Sequence, residues 1–127
     1  MARIIIADDD DLVAEIAYEA LTAGGHIVGR VSNGAEALAS IRAKKPDLVI
    51  LDCNMPELGG LLVLREMRQS VQFCETPVLI LTGRRSERDV QLAQFEGAND
   101  YMKKPFDPDE LVFRCDELLD KHRRGER

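Results

Sequence analysis

Short apolar runs alternate with helix-like patterns along the chain, and this alternation predicts the elements of the fold. Ile4-Ile5-Ile6 and Val49-Ile50-Leu51 have the length and the branched side chains of strands that are buried on both faces. Strands are expected at residues 3–7, 27–31, 47–52, 77–82 and 99–102. Because helical patterns separate these runs, the sequence predicts one α/β domain, a doubly wound parallel sheet with helices on both faces.

Capping residues mark where several helices begin and end. The first helix carries an apolar stripe and is expected to stop at Gly24-Gly25. Its stripe consists of Leu12, Val13, Ile16, Ala20 and Leu21. Asn33 is expected to be the N-cap of the second helix. The last helix is expected to begin at Asp107, with Pro108 at its first position and Glu110 as the capping-box partner.

Length, charge and cysteine content narrow the class of protein. A chain of 127 residues is long enough to bury the core of one domain. It has no apolar stretch of membrane-spanning length, no signal-peptide pattern and an odd number of cysteines, so we expect a soluble cytoplasmic protein without membrane contact. The net charge of −6 disfavours direct binding of nucleic acid by this domain.

Polar side chains stand where the predicted strands end. Asp8-Asp9-Asp10 follows the first strand, Asp52 closes the third, Thr82 closes the fourth, and Lys103-Lys104-Pro105 follows the last. Because the carboxyl ends of parallel strands meet at one edge of the sheet, these groups are expected to form one phosphate and metal site. Crowded carboxylates repel one another, and a hard cation such as Mg²⁺ relieves that repulsion.

In combination and order, these motifs resemble the receiver domain of bacterial two-component response regulators. The resemblance is carried by Ala7-Asp8-Asp9-Asp10, residues 46–52, Met55-Pro56, Gly60, Leu81-Thr82-Gly83, residues 97–101 and Lys104-Pro105-Phe106. It implies a flavodoxin-like (βα)5 fold whose five strands are ordered 2-1-3-4-5. Residues 1–122 would form the receiver domain, and residues 123–127 a charged tail or the start of a linker.

The resemblance also implies a role for each polar group. Asp52 would accept a phosphoryl group from a sensor histidine kinase or a histidine phosphotransfer protein. The remaining implied roles are Mg²⁺ binding by Asp9, Asp52 and the Asn54 backbone carbonyl, an effect of Asp8 through water, and phosphoryl contacts from Thr82 and Lys104. Lys104 precedes Pro105, as in the family, with a cis bond expected between them, whereas Lys103 is expected to be a solvated surface charge.

Two aromatic residues suggest how such a site would reach a partner. Tyr101 matches the family's switch aromatic. Phe113 is expected to point away from the apolar stripe of the last helix, which includes Leu111 and Cys115. An exposed aromatic there belongs to the face that the family uses for a downstream effector, an output domain or a phosphorylation-dependent homodimer.

Other functions are weaker interpretations of the same residues. A Mg²⁺-dependent phosphatase with Asp52 as the nucleophile would need a second aspartate two residues later, where Asn54 stands. A phosphorylation-independent interaction domain would not need the full set of polar strand ends. No glycine-rich phosphate loop follows the first strand, and a redox role for Cys53 lacks an activating base. We therefore expect a signalling switch that turns over no separate substrate.

Overall fold

A computed structural model describes residues 1–55, 58–83 and 87–125 of the chain. Its strands are β1 (Arg3–Ala7), β2 (Ile27–Val31), β3 (Leu48–Asp52), β4 (Val78–Thr82) and β5 (Asp100–Lys103). Its helices are α1 (Asp11–Ala23), α2 (Gly34–Lys44), α3 (Gly60–Gln69), α4 (Glu87–Glu96) and α5 (Pro108–Arg123). Pro56, from the motifs above, and the last two residues of the tail lie outside the described part. Within that part, no helix combines the length and the apolar character needed to cross a membrane.

The five strands form one sheet in the order β2-β1-β3-β4-β5, and every neighbouring pair is parallel. The predicted doubly wound fold and its strand order are confirmed. Strand bounds differ from the predicted ones by single residues, because β3, β4 and β5 each begin one residue later. Strand β5 also continues to Lys103, which pairs with Thr82 of β4.

The core lies in two layers, one on each face of the sheet. Alternate residues of β1 face opposite layers, with Ile5 in the layer of α2, α3 and α4, and Ile4 in the layer of α1 and α5. Strand β3 divides in the same way, and all five of its residues are buried. A strand buried on both sides cannot alternate between apolar and polar residues, and this explains the continuous apolar runs.

Two sequence-based expectations about helices are wrong in detail. Leu12, predicted for the apolar stripe of α1, is 69% exposed in its first turn. The helix buries Leu21 as predicted, together with Ala14 and Ala17, which the prediction did not include. Glu110 does not close a capping box on Asp107, because its carboxylate accepts hydrogen bonds from Arg114 at 2.9 and 3.1 Å. The N-caps themselves are confirmed. The Asn33 side chain accepts a hydrogen bond from the Glu36 N–H, and the Asp107 side chain accepts one from the Asp109 N–H.

Candidate phosphate and metal site at the carboxyl edge of the sheet

Four strand ends bring the predicted site residues together. Asp52 closes β3 and is paired in register with Leu81, so Thr82 stands next along the edge. Asp8 follows β1 directly, and its N–H donates to the Val31 carbonyl at 3.1 Å. On the other side, the Lys104 N–H donates to the Thr82 carbonyl at 2.8 Å. Strand pairing thus aligns the four side chains at one edge of the sheet.

Three carboxylates form the centre of the site. Asp8, Asp9 and Asp52 each place an oxygen within 4.8 Å of the others. Asp8 is 1% exposed and Asp52 is 5% exposed, whereas Asp9 is open to solvent. Burial, together with the neighbouring Asp8, raises the pKa of Asp52 to about 7, although Lys104 and the Asn54 N–H act in the opposite direction. The raised pKa therefore reflects burial first and, after it, the repulsion that the sequence predicted for this cluster.

The Lys104 ammonium lies between two of these carboxylates. Its Nζ is 2.8 Å from Asp8 Oδ2 and 3.3 Å from Asp52 Oδ1. Burial opposes the charge, yet these two ion pairs raise the pKa of Lys104. Lys103 is exposed, so strand alternation separates the two lysines as predicted. The Lys104-Pro105 bond is cis, as the resemblance implied.

Backbone N–H groups orient the two buried carboxylates. The Asp10 N–H donates to Asp8 Oδ1 at 2.9 Å, and the Asn54 N–H donates to Asp52 Oδ1 at 3.3 Å. Beneath Asp52, α3 begins at Gly60, where a Cβ atom would stand 2.1 Å from the Asp52 carbonyl oxygen. The start of this helix therefore packs directly on the backbone of the strand end.

Thr82 holds a hydroxyl at the same edge but is fully buried. Its Oγ1 donates to the Met102 carbonyl at 3.3 Å, which links the end of β4 to β5. A hydroxyl engaged in this way would have to exchange its acceptor before it could donate to a bound phosphoryl group. The strand pairing and this bond make Thr82 a link between the site and β5.

The donor set suits a hard divalent cation. Carboxylate oxygens are the ligands that Mg²⁺ prefers, and one or two of them suffice when waters complete the octahedron. Asp8 Oδ2 is buried, and its partner among the described residues is the Lys104 ammonium, an ion pair at 2.8 Å. That oxygen retains lone pairs for a cation or for a water bound to one. The exposed Asp9 leaves the cluster open on its outer side.

Tyr101 and Phe113 are the two aromatic residues predicted for the switch and the partner face, and they lie on β5 and α5. Tyr101 is half-buried in β5 and packs against the layer of α2, α3 and α4. Phe113 is 64% exposed on α5, as its position opposite the apolar stripe predicted. Sequence reasoning missed Arg114, which donates to the Tyr101 carbonyl at 3.0 Å and to Asp100 Oδ1 at 3.1 Å. The sequence offered one indication of a role for Arg114, namely its i,i+4 spacing from Glu110, which favours an ion pair along the helix.

The fold and this edge cluster define the class of protein, and comparison with known proteins gives its family. Residues 4–116 match the family model described as the response regulator receiver domain. The chain therefore belongs to the response regulator receiver domain family. This confirms the resemblance to two-component response regulators drawn from the strand-end motifs.

Relatives of known sequence and structure agree with this assignment. The chain is 37% identical over 117 residues to the alkaline phosphatase synthesis transcriptional regulatory protein PhoP of Bacillus subtilis, covering 92% of the chain and 48% of that protein. It is 39% identical to the response regulator MprA of Mycolicibacterium vanbaalenii, in an alignment that covers 92% of this chain and 50% of that protein. The chain thus spans about half the length of these curated relatives.

Two solved structures show the same fold along nearly the whole chain. A putative response regulator from Chloroflexus aurantiacus superposes with a TM-score of 0.90 at 36% identity, covering 94% of this chain and 98% of that one. The chemotaxis protein CheY4 of Vibrio cholerae gives a TM-score of 0.87 at 30% identity, and the superposition covers 93% of this chain and 98% of that one. Both structures align at an identity high enough to relate the sequences as well as the folds.

Proposed function

We propose that this domain is a phosphoacceptor switch of a two-component phosphorelay, with Asp52 as the acceptor. The observation that carries the proposal is the cluster of Asp8, Asp9 and Asp52, two of which pair with the Lys104 ammonium, in a member of the receiver family. Within this cluster, Asp52 Oδ1 accepts a hydrogen bond from the Asn54 N–H and lies 3.3 Å from Lys104 Nζ. The carboxylate is thereby positioned for attack on an incoming phosphorus.

The reaction is a transfer between two acceptors. An Asp52 carboxylate oxygen forms a bond to the phosphorus of a phosphohistidine, and the phosphorus–nitrogen bond breaks. The electron pair of that bond stays on the imidazole nitrogen of the donor, a sensor histidine kinase or a histidine phosphotransfer protein. The product on this chain is an acyl phosphate at Asp52.

Charge on the transferred group is balanced by groups of this chain and by a cation. Mg²⁺, when bound by Asp9, Asp52 and the Asn54 carbonyl, supplies electrostatic stabilisation of the phosphoryl oxygens. Asp8 would act on that cation through water. The Lys104 ammonium, now paired with Asp8 and Asp52, would contact one phosphoryl oxygen, and the Thr82 hydroxyl another. No substrate other than the phosphodonor is turned over.

The hydrogen bond between Thr82 and β5 would carry the effect of phosphorylation to the surface that binds partners. When Thr82 turns toward a phosphoryl oxygen, it gives up the Met102 carbonyl, and the packing of the neighbouring Tyr101 changes. Phe113 stands exposed on α5, beside Arg114, which holds the β5 backbone at the Tyr101 carbonyl. This face would receive a downstream effector, an output domain or a second phosphorylated copy.

The test is to incubate the protein with Mg²⁺ and acetyl phosphate, then to measure the intact mass and reduce the product with borohydride. We expect one added phosphoryl group, and borohydride should reduce the aspartyl phosphate to homoserine at position 52 with release of phosphate. Asp52→Asn should take up none while remaining folded. Asp107→Asn keeps an N-cap for α5 and should react like the wild type. Uptake by folded Asp52→Asn at the wild-type rate would contradict the assignment.

A further inference from the structure

Two glycines from different helices contact the backbone just after Asp52. A Cβ atom at Gly60 would meet the Asp52 carbonyl oxygen at 2.1 Å, and one at Gly34 would meet the Leu58 carbonyl oxygen at 1.9 Å. At the other seven glycines, no such atom would come within 3.0 Å of a neighbour. Gly60 starts the helix that follows Asp52 in sequence, but Gly34 starts α2, a separate helix.

The backbone that Gly34 contacts belongs to the phosphoacceptor segment, by which we mean residues 53–55 and 58–59. This segment contains Asn54, whose N–H holds Asp52 Oδ1 and whose carbonyl is a proposed Mg²⁺ ligand. The two ends of the segment are joined by a hydrogen bond, because the Gly60 N–H donates to the Cys53 carbonyl at 3.2 Å. Leu58, near the end that leads into α3, lies against Gly34, the first residue of α2.

The first turn of α2 is a firm support for that contact. The Asn33 side chain accepts from the Glu36 N–H at 2.8 Å, and Glu36 in turn accepts from the Ser32 N–H at 3.2 Å. Gly34 is buried, and the following Ala37 and Ile41 lie in the same core layer as Cys53. The start of α2 is therefore fixed by its cap and by its packing.

Conformational freedom does not explain a glycine at position 34. Its φ lies outside the left-handed region, and within a helix alanine is favoured over glycine. The obstacle to a side chain is the space taken by Leu58. Any added carbon must displace the phosphoacceptor segment or shift the start of α2.

We propose that Gly34 is a positioning residue for phosphoryl transfer. It lets α2 pack against the Leu58 backbone and so sets the position of the segment that presents the Asn54 carbonyl. This inference rests on the proposed function of Asp52, and it adds α2 to the elements that shape the site. The nearest atoms are the Leu58 carbonyl group and Cβ, so a side chain at position 34 would act on the site through Leu58 without touching the reacting groups.

The test compares Gly34→Ala with Gly29→Ala. Gly29 lies in β2, has a φ outside the left-handed region and has open space where a Cβ atom would stand, so it is the matched control. For each variant, the Kd for Mg²⁺ alone and the rate of phosphorylation by acetyl phosphate are measured, with the circular dichroism spectrum as the check of fold. Gly34→Ala should weaken Mg²⁺ binding and slow phosphorylation about tenfold or more, as small misplacements of reacting groups do. Gly29→Ala should match the wild type.

A folded Gly34→Ala protein with wild-type Mg²⁺ affinity and wild-type rate would overturn the proposal. If Gly34→Ala does not fold, Asn33→Ala loosens the start of α2 without adding volume, because it removes the N-cap of that helix. Asp107→Ala, which removes the N-cap of α5, is its control. Asn33→Ala should then bind Mg²⁺ more weakly and be phosphorylated more slowly than Asp107→Ala, and equal values for the two variants would again overturn the proposal. If the wild type and Gly29→Ala take up no phosphate, the function proposed for Asp52 fails, while the Mg²⁺ affinities still decide the role of Gly34.

Discussion

Lys104 Nζ lies 2.8 Å from Asp8 Oδ2, closer than its 3.3 Å approach to Asp52 Oδ1, so the ammonium pairs more tightly with Asp8. Asp8 and Asp52 are both buried, and this cation offsets part of their mutual repulsion. Lys104 thus stabilises the fold and is also a proposed contact for phosphate.

Replacement of Lys104 should expose that repulsion. We expect Lys104→Met to lower the free energy of unfolding by about 2 to 3 kcal/mol in the absence of Mg²⁺. This is below the full range for buried pairs, because the Lys104 side chain is 20% exposed. Urea unfolding with a chelator measures the loss, and saturating Mg²⁺ should restore part of it. Lys103→Met is the control, and equal losses in the two variants would contradict the prediction.

Mg²⁺ should stabilise the wild-type protein by mass action, because the cation binds the assembled carboxylates of the native state. Asp9 is the exposed member of the cluster and the one proposed to bind the cation directly. Asp9→Ala should therefore abolish the rise in melting temperature that Mg²⁺ produces. Asp11→Ala removes a neighbouring acid from the first turn of α1 and should keep that rise. A normal Mg²⁺ response in Asp9→Ala would place the cation elsewhere.

Phe113 should act in association and not in phosphorylation. Truncation of an aromatic anchor typically weakens an interface by about 2 kcal/mol or more, or roughly 30-fold. We expect Phe113→Ala to weaken self-association of the phosphorylated protein by this amount in sedimentation velocity, with an unchanged rate of phosphorylation. Leu62→Ala removes an exposed apolar side chain from α3 and serves as the control. Wild-type association of Phe113→Ala would disprove this use of the face.

The buried thiol of Cys115 should make stability fall in alkaline solution. Burial, with smaller effects of Asp116 and Asp100, raises the pKa of Cys115 to about 12. Because the unfolded thiol ionises near 9, the native state keeps a proton that the unfolded state has released, so stability declines as pH rises above 9. The loss should reach about 2 kcal/mol near pH 10.5.

Urea unfolding across this pH range tests the thiol against a matched cysteine. Cys115→Ala should lose less stability between pH 8 and about pH 10.5 than the wild type does, whatever its starting stability. Cys74→Ser, at an exposed position, should follow the wild type. Parallel pH profiles for wild type and Cys115→Ala would show that ionisation of this thiol has no effect on stability.

The amino-acid sequence by itself determined the sheet, its helices and the edge at which the chemistry gathers. Apolar runs such as Ile4-Ile5-Ile6 are local patterns, and parallel strands necessarily bring Asp8 and Asp52 to one edge. Alternation along β5 likewise distinguished Lys104 from Lys103. These features depend on the spacing of residues within short stretches of chain, and that spacing can be seen in the sequence itself.

The tertiary structure alone decided the contacts between segments distant in the chain. It placed Leu12 in solvent, turned Glu110 from the Asp107 cap to Arg114, and brought Gly34 against Leu58. Each outcome depends on how closely two separately formed elements pack, and a difference of about one ångström reverses it. Local pattern contains no measure of that distance, so the packing of α2 on the phosphoacceptor segment could be found only in three dimensions.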